Sequence, residues 1–183
     1  MKFIPTKIEG VLIVEPRIFG DSRGFFYESY NREEFAKNGI GAEFVQDNCS
    51  RSVKGTLRGL HYQTEPYAQA KLVSVARGSA FDVAVDLRPG SKTYGSYVSE
   101  MLTGENRKML YIPAGFAHGF LALEDGTEFV YKVSKPYSPA HEKGIIWNDP
   151  RIAIAWPKLE TQYVISDKDQ KFVQLQGSAE SRR

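Results

Sequence analysis

The chain predicts an all-β fold, a mainly antiparallel sandwich or closed barrel, and three observations carry that reading. Short runs of alternating or β-branched character recur along its length, Gly, Pro, Asn or Asp separates them, and one internal segment alone carries convincing helix signals. The strand runs are VLIVEP from Val11, FFYESY from Phe25, AEFVQD from Ala42, KLVSVA from Lys71, AFDVAVDL from Ala80, YGSYVSEM from Tyr94, MLYIPA from Met109 and EFVYKVS from Glu128. Between the second and third runs, Asn31 is placed to cap a helix over residues 32–38, and Gly39 to end it. Pro136, Pro139, Pro150 and Pro157 punctuate the last third, where IAIAW at 152–156 reads as a final short strand. The tail from about residue 174 turns polar and reads as frayed. With no internal repeat or low-complexity linker, residues 1–183 are expected to form one domain.

Composition narrows the function classes. Lys plus Arg number 24 against 22 Asp plus Glu, a formal charge of +2, and the basic residues are scattered, which leaves no footprint for nucleic acid. Any anion must therefore be held by a few arginines and lysines inside a cleft. The single Cys49 excludes an intramolecular disulfide and suits a reducing compartment. The opening MKFIPTKIEG has no apolar segment of signal-peptide length, and no window approaches the roughly 20 apolar residues of a membrane span. A soluble, cytoplasmic protein without membrane contact is expected.

The most specific signal is a run with Gly55, His61, Gln63, Lys71 and Gly78, followed later by Pro113-Ala114-Gly115-Phe116-Ala117-His118. It resembles the two motifs of the cupin superfamily, whose metal-dependent members place a second His at the position of Gln63, a Glu at that of Lys71 and an Asn at that of Ala122. An ammonium repels a cation, and a catalytic metal site needs three neutral or anionic ligands, so neither a metal nor another cofactor is expected. Lys71 itself then becomes the candidate electrophile.

Further strings specify the reading: DSRGFFYE at 21–28, QDNCSRS at 46–52, RGLHYQ at 58–63, QAKLV at 69–73, FDVAVDLR at 81–88, PAGFAHGF at 113–120, VYK at 130–132, WNDP at 147–150 and SDKD at 166–169. Together and in this order they resemble the dTDP-4-dehydrorhamnose 3,5-epimerases, over nearly the whole chain. The resemblance implies a double-stranded β-helix, a cupin-like jelly-roll barrel with an amino-terminal β-extension and few short helices, acting as a homodimer on a nucleotide sugar. It implies His61 as the base oriented by Asp169, Lys71 at the enolate oxygen and Tyr131 as proton donor on the opposite face. It further implies substrate contacts from Arg23, Glu28, Gln46, Asp47, Asn48, Arg58, Lys71, His118, Glu142 and Lys168, with Tyr137 stacked on thymine and the segment from Arg23 to Glu28 reaching a neighbouring subunit's site.

Read without the resemblance, several of these residues look ordinary. Lys71 begins an apolar strand and reads as a solvated strand end, Tyr131 reads as strand packing, Asp169 lies in a polar string that reads as an exposed turn, and His141 reads as solvent-exposed. Three function classes stay open at this point: an epimerase acting at C3, at C5 or at both; a metal-dependent cupin enzyme; and a sugar-binding module without chemistry.

Overall fold

The computed structural model describes residues 1–176. In chain order its strands are β1 Lys2–Pro5, β2 Leu12–Glu15, β3 Ile18–Asp21, β4 Gly24–Tyr27, β5 Gln46–Ser52, β6 Thr56–Gln63, β7 Lys71–Arg77, β8 Ser79–Asp86, β9 Tyr97–Thr103, β10 Met109–Ile112, β11 Phe116–Ala122, β12 Thr127–Val133, β13 Glu142–Gly144 and β14 Val164–Ile165. One sheet runs β1-β2-β10-β7-β12-β5 and the other β13-β6-β11-β8-β9, with β14 pairing parallel to β6. These are the two facing sheets of the expected jelly roll. β3 and β4 form a separate hairpin in the amino-terminal part.

Alternation along the strands decides which side chain goes where. Val73 and Val75 of β7, Phe129 of β12, Ala80 and Ala84 of β8, and Phe116 and Phe120 of β11 meet in the core between the sheets, where the Phe120 and Phe129 rings stack at 4.0 Å. The intervening residues of the same strands do not reach water either. Leu72 and Met109 are covered by helix α1 (Arg32–Lys37) through Phe35 and by Ile40 after it. Val83, Val85 and Ala117 on the other sheet are covered by Ile145, Ile152 and Leu175. Burial on both faces is why these strands read as near-continuous apolar runs. Asn31 caps α1 as anticipated, its Oδ1 accepting from the N–H groups of Glu33 and Glu34 at 3.0 and 3.2 Å.

Three expectations are corrected. IAIAW forms no strand: Ile152, Ile154 and Trp156 pack against the outer apolar layer from an irregular segment. Pairing in the third run starts at Gln46, so residues 42–45 lie before the strand. The tail is tied down further than its polarity suggests, since Leu175 is buried and donates its N–H to Asp149 at 2.6 Å. The remainder of the tail expected to fray, residues 177–183, lies outside the described residues.

One irregularity positions the site. The β6–β11 ladder pairs His61 with His118 and Arg58 with Phe120, so the register shifts between them and β6 carries an extra residue there. In a regular strand Arg58 and His61, three apart, face opposite sides; the bulge turns both toward the interior. Gly59 makes this possible. It sits at φ +130°, and a Cβ there would lie 2.6 Å from Gly119 Cα. Gly59→Ala is therefore expected to cost about 3 kcal/mol or more, read as a lowered urea midpoint.

Candidate active site

A cavity of about 370 Å³ opens where the two sheets face each other. One wall carries Gln46 and Asn48 of β5, Lys71 of β7 and Tyr131 of β12; the other carries Arg58, His61 and Gln63 of β6 with His118 of β11. Lys71 shares strand parity with the core residues Val73 and Val75, so it points inward and is 9% exposed. The solvated strand end anticipated from its local sequence is thereby corrected. Tyr131 follows Phe129 in the same way.

His61 is held from two sides. Its Nε2 lies 2.8 Å from Asp169 Oδ1, and its ring meets Phe172 edge-on at 5.5 Å. Asp169 is 3% exposed, not the exposed turn its polar neighbours suggested. The parallel pairing of Val164 and Ile165 with Thr56 and Leu57 brings the following short helix α2 (Asp167–Gln170) alongside the bulge. There Asp169 Oδ2 accepts the Gly59 N–H at 3.0 Å, while Ser166 Oγ accepts the Asp169 N–H at 3.1 Å. Burial raises the Asp169 pKa, but the His61 contact and the Gly59 N–H outweigh it and hold the carboxyl below its ordinary range. The bulge thus aims the imidazole and anchors its carboxylate together.

The cavity's other groups are tuned by burial. Burial pulls Lys71 down to about 8 against the opposing pull of Asp82 and Glu142, and among the described residues its Nζ has no hydrogen-bond or ion-pair partner. Burial raises the Tyr131 phenol, with Arg58 opposing, so the phenol keeps its proton at neutral pH. His118 is pushed down by burial, and its Nε2 lies 2.7 Å from Asp82 Oδ1. This constellation offers a base with its orienting acid, a cation without a direct hydrogen-bond partner and a neutral phenol, which is what proton transfer beside a carbonyl requires.

The comparisons agree. A family model described as dTDP-4-dehydrorhamnose 3,5-epimerase matches residues 5–177. The chain belongs to this family. It is 54% identical to a dTDP-4-dehydrorhamnose 3,5-epimerase from Shigella flexneri, across 94% of this chain and 97% of that one. A dTDP-6-deoxy-D-glucose-3,5-epimerase from Legionella pneumophila, solved with dTDP-4-keto-L-rhamnose, superposes with a TM-score of 0.92 at 49% identity, covering 94% and 92% of the two chains. A 3′-monoepimerase from Streptomyces bikiniensis, solved with dTDP-quinovose, gives 0.89 at 36% identity over 97% and 89%. The chain is accordingly an enzyme of the dTDP-4-dehydrorhamnose 3,5-epimerase family.

In this epimerase the remaining site residues fall into two groups. Tyr137, Glu142 and Lys168 line the cavity as a linked set, with Tyr137 Oη donating to Glu142 Oε2 at 2.8 Å and Lys168 Nζ to Oε1 at 2.9 Å. Burial raises Glu142, but these two donors prevail and lower it. Gln46 accepts the Tyr137 N–H at 3.0 Å and donates to Asn48 Oδ1 at 2.8 Å. Arg58 is exposed, touches Ser52 Oγ at 3.4 Å, and forms no ion pair among the described residues. Three residues stand outside this cavity. Asp47 points to the other side of β5 and pairs with Lys132 at 2.9 Å; Arg23 pairs with Asp21 on the β3–β4 hairpin; and Glu28 accepts from Asn31.

Gln63 and Asp82 were not among the residues expected to form the site. Gln63 is buried and fully engaged, its Nε2 donating to the Tyr67 and Pro136 carbonyls at 2.7 and 3.2 Å and its Oε1 accepting the Ser138 N–H at 2.7 Å. It ties down the two loops that edge the cavity. Asp82 had a legible signal, an acid inside the apolar run FDVAVDL. His141 is half-buried instead of exposed, against Tyr67 and bonded to Ser138. Among the described residues no group of three His, Cys, Asp or Glu side chains converges as a metal site would, and no helix is long and apolar enough to cross a membrane.

Proposed function

We propose that the keto-sugar ring lies between His61 and Tyr131 with its C4 oxygen toward Lys71. One observation carries this reading: imidazole and phenol enter the same cavity from opposite sheets, and a buried ammonium without a carboxylate partner shares it. His61 takes the proton from the carbon beside the ketone, and the C–H electron pair moves onto the C4 oxygen as an enolate. Tyr131 then gives its proton to the opposite face of that carbon, which inverts it; the phenolate recovers a proton from solvent and the His61 imidazolium releases one to it. The cycle serves C5 and C3 alike because both flank C4. Lys71 attracts the enolate more than the ketone, so it lowers the barrier beyond what ground-state binding provides. Asp169 keeps the imidazole in the tautomer whose free nitrogen faces the sugar.

The nucleotide is read by the outer part of the cavity. Arg58 and Lys168 are the cations for the diphosphate, Tyr137 is 53% exposed and free to stack on thymine, Gln46, Asn48 and Glu142 supply polar contacts, and the buried His118 meets the sugar. A homodimer completes the site. The β3–β4 hairpin exposes Phe19, Phe25 and Phe26 at 50, 56 and 69%, an apolar surface that docking on a second subunit covers, carrying Arg23 and Glu28 toward that subunit's nucleotide. The exposed thiol of Cys49 fits a reducing cytoplasm.

The test is isotope exchange. In heavy water the wild-type protein is expected to place deuterium at both C3 and C5 of dTDP-4-dehydro-6-deoxy-D-glucose. Deuterium at one carbon alone assigns it to the single-carbon epimerases, and its absence from both removes the mechanism.

A further inference from the structure

We propose that Asp82 is a positioning residue of this site: its carboxylate fixes His118 with the proton on Nε2 and supplies the negative charge that keeps Lys71 an ammonium ion. The inference rests on the role given to Lys71 above.

Asp82 lies on β8, in register with Phe120, and is 0% exposed. Oδ1 engages His118 Nε2 at 2.7 Å, while Oδ2 has no hydrogen-bond partner. A fully buried carboxylate oxygen without a donor is costly and calls for a reason. The reason is the unpartnered cation nearby. The charged and titratable groups around Lys71 are Arg58, His61 and Tyr62 on β6, His118 on β11 with Asp82 behind it, Tyr131 on β12, Tyr137, and Glu142 on β13 with its partner Lys168. Of the two acids that favour the ammonium, Glu142 is already engaged by Lys168 and Tyr137. Asp82 has only His118, which burial keeps neutral, so its charge is left for Lys71. Since a carboxylate requires a donor, the contacting Nε2 carries the His118 proton. Nδ1 is then an acceptor, suited to a sugar hydroxyl and unable to compete with Lys71 for the ketone oxygen.

Asp82→Asn tests this, because the amide oxygen still accepts from Nε2–H and the volume is kept while the charge is removed. The alkaline limb of the kcat/KM profile for deuterium entry is expected to move down by about one pH unit as the pull of Asp82 on Lys71 is lost, with dTDP affinity unchanged. A limb that stays in place while the wild-type protein exchanges normally overturns the proposal and leaves the mechanism intact; a wild-type protein without exchange defeats the mechanism first. Should the variant fail to fold, nitrogen NMR of wild-type protein with labelled histidine decides. The proposal expects His118 protonated at Nε2 alone, and a proton on Nδ1 refutes it.

Discussion

Replacing His61 with alanine is expected to abolish deuterium entry at both C3 and C5 and to lower kcat about a thousandfold, within the range that a positioned general base contributes. KM should change far less, because the cavity-lining Arg58, Lys168 and Tyr137, the proposed nucleotide contacts, are left in place by the substitution. The fold should survive, since the side chain is 27% exposed and covers the cavity instead of the core. The substitution also leaves the Asp169 carboxylate buried, now with the Gly59 N–H and the Ser166 hydroxyl as its donors. A modest loss of stability, about 1–3 kcal/mol for a buried acceptor deprived of a partner, is expected beside the kinetic loss. Equal loss at both carbons matters most here, because it shows that one imidazole serves the two positions.

Replacing Lys71 with methionine should separate activity from stability. Turnover is expected to fall by about 10²–10³, the cost of losing a donor at a developing oxyanion. The protein itself should become more stable at neutral pH. Burial pulls Lys71 from an ordinary value of 10.5 to about 8, so the folded state holds the charged amine reluctantly. Below pH 8 both folded and unfolded chains carry that proton, and the penalty is present in full. Between about 8 and 10.5 the folded chain loses its proton first and the penalty fades; above that it is gone. At about 1.4 kcal/mol per pH unit of separation, the gain from methionine is on the order of a few kcal/mol below pH 8 and vanishes as pH rises through that interval. Thermal denaturation of both proteins across this range checks the sign, and a variant less stable than wild type at neutral pH contradicts the account.

Much of this architecture was legible in the residue pattern, and the failures have identifiable causes. Strand runs announced themselves through alternation, and Asn31 and Gly39 marked the helix correctly to within a residue. IAIAW misled because an irregular segment that covers an apolar sheet face needs apolar residues as much as a strand does. Within the site, parity was the underused signal. Lys71 stands two residues from Val73, which places it inward, and Asp47 stands between Gln46 and Asn48, which places it on the other side of the same strand. His61 and Arg58 could not be placed together by parity, because their shared face depends on an extra residue at Gly59. Asp169 is 108 residues from His61 along the chain, and no local pattern foretells that contact; its surroundings in SDKD are polar because the rest of that turn is solvated. Only resemblance to a family joined the two in advance.

The pH profile of deuterium wash-in by the wild-type protein tests the central claim most directly, that a buried ammonium and no other electrophile carries the enolate charge. With Lys71 pulled down to about 8, kcat/KM at both carbons should fall about tenfold per pH unit above that point as the amine loses its proton. A rate that stays level to about pH 10, the ordinary lysine range, would show that the charge on Lys71 plays no part in the reaction.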